Sequence, residues 1–322
     1  MNSNERSYRM DFSVERDAPR LRELAKQGVH LGTSSWKYPG WIGQVYKRDY
    51  SGPRSIVQKK RFETECLSEY AEIFPTVCLD EGYWRFPDPK RLERYAEQVP
   101  DDFKFAIKVT NEVTERRNRQ GVTNTGYLEP RLYTEHFFEP VKCALGNKLG
   151  PIIFEFSPFF FGRSFGQLDY SPLQFVKDLH GFLSAIPKQD VELAIEIRDP
   201  ELITFPRYFD CLEYHGVAHV LNEQTHMPEI SEQLEVPGIF PAPFSVIRAL
   251  VRPGVSHNAA VEEFEPYNLT QLELPQLREG IAVAARQASA SRRGLYAYIN
   301  NRTEGNAPNT IAGVLDLLFH EG

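Results

Sequence analysis

The stretch ELAIEIRDP, Glu192 to Pro200, carries charge where a buried strand should be apolar. Alternation puts Leu193, Ile195 and Ile197 on one face and Ala194, Glu196 and Arg198 on the other, so a carboxylate and a guanidinium leave the strand's end in the same direction. Glu196 can act there as a base or can orient Arg198. Counting inward positions in the same way along seven other strand-like segments gives Ser34, Asp80, Lys108, Glu155, Asn222, Arg248 and Asn300 with Asn301. Each of the eight segments therefore ends in a polar group.

Glu196, Lys108, Asp80 and Glu155 are the candidates for proton transfer, and Lys108 has three open roles, as a fixed charge, an acid or a Schiff-base amine. Ser34, Trp36, Arg85, Arg198, Asn222, Arg248, Asn300 and Asn301 are the candidates for ligand binding. The forked guanidinium groups of Arg198, Arg248 and Arg85 suit phosphate or carboxylate, so the leading inference is a small anionic ligand. Trp36, Trp41, Tyr83 and Trp84 could stack on a sugar or base, although each aromatic taken alone reads first as core packing. The opposing reading is a charge-balanced plug, with Asp80, Glu155 and Glu196 neutralising Lys108, Arg198 and Arg248. Buried ion pairs seldom repay their desolvation as stability devices, which favours a functional origin.

No cofactor is identified: neither GxGxxG nor GxxxxGK[ST] follows any strand. No metal site is assigned. Mg²⁺ held by Asp80, Glu155 and Glu196 stays open, whereas a softer metal would want several histidines and none falls at an inward strand end after the first strand. His215 and His219 are separated by Gly216 and a strand start, which prevents a shared helical face. The four cysteines, Cys66, Cys78, Cys143 and Cys211, form no CxxC pair and have no zinc-type spacing with histidine, so they read as buried reduced thiols without a structural metal.

The strands that position these groups are Val29 to Trp36, Thr76 to Glu81, Phe103 to Lys108, Pro151 to Phe156, the opening stretch, Val217 to Asn222, Phe244 to Ala249 and Leu295 to Asn301. Helical stripes alternate with them. Leu67, Tyr70, Ala71 and Phe74 face one way. So do Leu92, Tyr95, Ala96 and Val99, after an Asp88 N-cap with Pro89 in the first turn. A bend is expected near Pro140, a helix stop at Gly216, and a short sixth helix near Pro228 with Ile230 and Leu234. The segment Thr110 to Pro130, with its ERRNRQ run, is long for a barrel loop, and SPFFFGRSFGQLDY makes a second, aromatic loop. Eight strand-then-helix units predict a single (β/α)8 TIM-type barrel over 29–322, in preference to an open doubly wound sheet. Residues 1–28 form an N-terminal extension, read as an arm outside the barrel with a short helical hint at Leu21, Leu24 and Ala25.

At 322 residues and a formal net charge of -7, the chain is sized for one such barrel and ill suited to coating nucleic acid by bulk charge. The ERRNRQ run is read as a solvated loop. No apolar run is long enough to span a bilayer and the N-terminus lacks an apolar signal core, so the expectation is a cytoplasmic protein with no membrane partner.

The same residues resemble a known family, the YecE-like proteins, domain-of-unknown-function family seventy-two. The similar motifs are GTSSWKYPGW, YAEIF with TVCLDEGYWRFP, PDDFKFAIK, LGPIIFEFSP, EIRDP, and YINN with GNAPN, from about Leu31 to Ala312. The resemblance implies a TIM-type barrel for which no biochemical activity is settled. It also implies characteristic polar positions at Ser34, Trp36, Arg85, Lys108, Glu196, Arg198, Arg248, Asn300 and Asn301. The chain is a divergent member: Val77, Cys78, Leu79 and Asp80 stand where the pattern is V-E-x-N, and Glu155 stands for the usual Gln. Asp199 replaces a His, and Leu250 with Val251 replace a His-Gly, so the imidazoles that would serve as acid, base or metal ligand are lost.

The expectation is a barrel protein that binds or acts on a small phosphate- or carboxylate-bearing ligand at its C-terminal mouth. The alternatives are a non-catalytic binding or scaffold protein and, by analogy of fold, a metal-dependent enzyme acting on nucleic acid.

Overall fold

Glu192 to Pro200 sorts its side chains to two sides of one sheet in the computed structural model, which describes residues 11–52, 56–117, 121–158 and 170–319. The strands are β1 (Val29–Thr33), β2 (Thr76–Leu79), β3 (Lys104–Lys108), β4 (Leu149–Glu155), β5 (Leu193–Glu196), β6 (Ala218–Glu223), β7 (Phe244–Ala249) and β8 (Gly294–Ile299). All neighbours are parallel, in the closed order β1 to β8. The closing pair, β8 on β1, runs in register from Val29 opposite Leu295 to Thr33 opposite Ile299. That pairing establishes the (β/α)8 barrel and removes the open-sheet alternative. The first, second and eighth strands stop two or three residues short of the expected ends, so Ser34, Asp80 and Asn300 stand just beyond the ladder.

The two faces pack separately. Leu193 and Ile195 join Leu31, Val77, Ile107, Phe154 and Leu221 against the helices. Cys78, Ala106, Ile153, Ala194, Val220, Val246 and Tyr298 form the apolar layers inside the barrel. Small residues on β3, β5 and β6 (Ala106, Ala194, Ala218) make room for Phe244, Tyr296 and Tyr298 on β7 and β8, an interdigitation that fills the interior. At Gly32 the approach of β1 to β2 is so close that an added Cβ would lie 2.1 Å from the Thr76 carbonyl oxygen. Only glycine closes the barrel there.

The outer helices follow the periodicities in the chain. On Pro172–Ala185, Phe175, Leu179, Phe182 and Leu183 are all buried, each contributing roughly 1.5–3 kcal/mol through removal from water. Its Ser171 accepts from the Gln174 amide, and Asp88 accepts from the Lys90 amide at the start of Pro89–Ala96. Gly216 ends Pro206–His215 in the left-handed conformation, φ 66°. The bend near Pro140 is a π-helical segment, Thr134–Phe138, leading into Glu139–Leu145. The sixth unit keeps only Ile230–Leu234, closed by a capping box between Glu229 and Glu232.

The N-terminal extension differs from its sequence reading. A full helix, Val14–Lys26, buries Leu21 and Leu24, and Phe12 stacks on Phe74 at 5.5 Å. Pro19 inside that helix masks it from pattern reading. Of the two long loops, residues 118–120 of the ERRNRQ run and 159–169 of the aromatic segment lie outside the described residues, as do residues 1–10. Among the described residues no helix is long and apolar enough to cross a membrane. The four cysteines are free; Cys143 is exposed, against the expectation that all four would be buried.

Candidate functional site

Strand register brings the charged ends together. Glu155 of β4 lies opposite Glu196 of β5, and Asn222 of β6 opposite Arg248 of β7. Arg198, two residues past Glu196, turns back onto it through Nε at 3.1 Å and Nη2 at 3.0 Å. Three cations from three different elements then meet on a single oxygen, Glu155 Oε2: Arg248 Nη1 at 2.8 Å, Arg198 Nη2 at 2.9 Å and Lys108 Nζ at 3.3 Å. Arg248 Nη1 also donates to Glu196 Oε2. Lys108 reaches Asp80 at 3.0 Å and lies 4.5 Å from the Tyr83 ring centroid, a cation–π contact.

This network is buried except at its rim. Glu196, Glu155, Arg248 and Lys108 are buried, whereas the Asp80 side chain is half-exposed and that of Arg198 is 19% exposed. Burial pushes the Glu155 carboxyl up, but Arg198, Lys108 and Arg248 more than reverse this and hold it well below the usual carboxylate range. Burial pulls Lys108 down, and Glu155 with Asp80 overcome that pull, so its ammonium is held above its ordinary value. Cys78, in the apolar layer, has its thiol pushed up to about 12, chiefly by burial.

Around the ion pairs stand buried polar atoms with no hydrogen-bond partner among the described residues: Ser34 Oγ, Asn222 Oδ1, Arg248 Nε and Asn301 Nδ2. A buried polar group without a partner costs about 1–3 kcal/mol, so four of them at the C-terminal ends of β1, β6, β7 and β8 favour a role other than stability. Asn222 Nδ2 donates to the Ile197 carbonyl at 2.9 Å, which fixes the amide in place. Asn300 and Asn301 are partly structural: Asn300 Oδ1 accepts from the Arg302 amide and Asn301 Oδ1 from the Ala307 amide, the first residue of Ala307–Phe319.

Not every sequence candidate joins this group. Trp36 is buried on the helix side, edge-on to Tyr95 at 5.2 Å. Trp41 is fully buried, Trp84 is exposed, and Arg85 is exposed outside the ion-pair network. Sequence reasoning passed over Arg302, whose Nε has no partner among the described residues and whose charge acts on both Tyr38 and Tyr267. Its signal was available in the sequence: it follows the Asn300–Asn301 pair directly.

The arrangement can present fixed positive charge and hydrogen-bond donors to a ligand, with Lys108 protonated at neutral pH. As a Schiff-base amine Lys108 would first have to shed a proton that two carboxylates retain. A divalent cation on Asp80, Glu155 and Glu196 would have to displace cations already bonded to each of them. The donor set fits an internal salt network better than Mg²⁺. A groove of about 720 Å³ lies elsewhere, lined by residues including Leu234, Glu279, Val283 and Leu317, and holds none of the network residues.

A family model described as "Protein of unknown function DUF72" matches residues 30–321. The chain is 23% identical over 210 residues to the UPF0759 protein YunF of Bacillus subtilis (strain 168), a match spanning 63% of this chain and 62% of that relative, less than two thirds of its length. A solved DUF72 family protein from Thermotoga maritima MSB8 superposes with a TM-score of 0.59 at 20% identity, covering 91% of this chain and 99% of that one. Another, from Enterococcus faecalis V583, gives 0.57 at 17% identity over 90% and 97% of the two chains. At these identities the likeness concerns the barrel itself.

Proposed function

Since the chain belongs to the DUF72 family of proteins of unknown function, we propose its role from its own strand ends: recognition of a small anionic ligand, bearing phosphate or carboxylate, at the C-terminal mouth of the barrel. The observation that supports this is the convergence of Lys108, Arg198 and Arg248 on one carboxylate oxygen, at 3.3, 2.9 and 2.8 Å. Three strand ends already coordinate an oxyanion here, supplied by Glu155. A ligand oxyanion meets the same cations from the solvent side, where Arg198 is partly exposed.

In this reading Arg198 and Arg248 hold the anion, and Ser34, Asn222, Asn300 and Asn301 line its approach. Lys108 contributes charge or a proton. Glu155 is the counter-ion, which leaves Glu196 and the half-exposed Asp80 as the carboxylates for base chemistry in turnover. The rival reading, a binding or scaffold protein without turnover, draws support from the charge balance of the network, in which Lys108, Arg198 and Arg248 offset Asp80, Glu155 and Glu196.

The test is thermal unfolding of the full chain with inorganic phosphate, malonate, sugar phosphates and nucleotides, alongside Arg198→Gln. A ligand at 100 times its dissociation constant adds about 2.7 kcal/mol. A rise in midpoint that Arg198→Gln abolishes supports the proposal. No rise with any anion, while the variant melts earlier without ligand, supports the plug and overturns it.

A further inference from the structure

Outside the mouth, two packed helices place three soft ligands together. Cys211 and His215 are one helical turn apart on Pro206–His215, and His180 faces them from Pro172–Ala185. Their ligand atoms all lie within 4.8 Å of one another, and His215 Nε2 is 3.0 Å from His180 Nδ1. We propose that His180, Cys211 and His215 form a Zn²⁺ site that clips these two helices together.

Thiolate and imidazole are the ligands of zinc and exclude Mg²⁺ and Ca²⁺ as natural occupants. Zinc bonds of about 2.0–2.3 Å space tetrahedral ligand atoms roughly 3.3–3.8 Å apart, so small side-chain rotations close the site. His180 is exposed, which leaves the fourth position to water, and Cys211 is buried beneath. His215 is the last residue of its helix, where the unpaired carbonyls favour a cation.

Binding is balanced by protons. The Cys211 S–H proton leaves to solvent as the Zn–S bond forms. Lys188 Nζ, now 2.9 Å from His215 Nδ1, must swing away so that the imidazole proton sits on Nδ1 and Nε2 takes the metal. Lys188 is thus the site's brake.

The test is titration of the full chain with Co²⁺ and then Zn²⁺, read by the thiolate-to-cobalt charge-transfer band and by chelator competition. The site predicts one equivalent bound, the band lost in Cys211→Ser, affinity lowered at least about tenfold in His180→Gln and raised in Lys188→Met. His180 is exposed, so its variant keeps the test valid should Cys211→Ser fail to fold. Absence of the band in the wild type, its survival in Cys211→Ser, or unchanged affinity in His180→Gln overturns the proposal.

Discussion

Arg248 Nη1 lies 2.8 Å from Glu155 Oε2, joining a strand end to one almost directly across the barrel. Both residues are buried, and Arg248 also bonds Glu196. Removing the guanidinium leaves two carboxylates beneath the mouth with one fewer cation. Breaking a buried pair from one side costs about 3–5 kcal/mol. Arg248→Met is therefore expected to lower the free energy of unfolding in urea titration by that amount, through a lower midpoint at an unchanged slope, and a loss under about 1 kcal/mol would contradict the network.

Glu155 makes the acid limb of stability. Its folded pKa is depressed by Arg198, Lys108 and Arg248 acting against burial. Its contribution is complete above the unfolded value, about 4.3, and fades as pH falls from there toward the lower folded value. Glu155→Gln should be less stable than the wild type at neutral pH and should show a flatter decline in acid. Parallel acid limbs in urea titrations of the two proteins would refute this.

Asp80 separates an anion site from a plug. It is the half-exposed carboxylate of the group, 3.0 Å from Lys108 and 3.7 Å from Arg248. Asp80→Asn leaves the mouth one charge more positive at small cost in stability, because Asp80 itself is half-exposed and Lys108 keeps Glu155 as a partner. Anion affinity should rise about fivefold, a gain of ~1 kcal/mol, in calorimetric titration with phosphate or malonate. Weaker binding in Asp80→Asn would mean that this carboxylate is itself part of the recognition.

Much of this geometry was legible from alternation alone. The faces of Leu193, Ala194, Ile195 and Glu196 follow from a period of two, and the burial of Leu193 and Ile195 in one cluster and of Ala194 in another agrees. What alternation could not supply is which charges meet: Arg248 and Glu155 are 93 positions apart, and only barrel closure sets their distance. Beyond the strand ends the period fails. Trp36 turns back to Tyr95 on the helix side, and Tyr83, read first as core, settles against Lys108. His215 was weighed against His219 and not against His180, because 35 positions separate His180 from His215 and helix packing alone makes them neighbours.

Glu223 supplies a pH dependence of opposite sign. It ends β6, buried at 3% exposure, and accepts from the Ile230 amide at 3.3 Å. Burial above all raises its folded pKa to about 7. For a raised carboxyl the stabilisation is complete below the unfolded value, about 4.3, and is lost as pH rises through about 7. The amount at stake is on the order of 3–4 kcal/mol. His215 and His219, pushed down to about 4 and about 3, oppose this trend by favouring unfolding as pH falls below about 6.5. The informative quantity is therefore the difference between the wild type and Glu223→Gln, whose amide oxygen still accepts from Ile230. That difference should move in favour of the variant between about pH 5 and pH 8; a difference independent of pH would place the Glu223 carboxyl at its ordinary value.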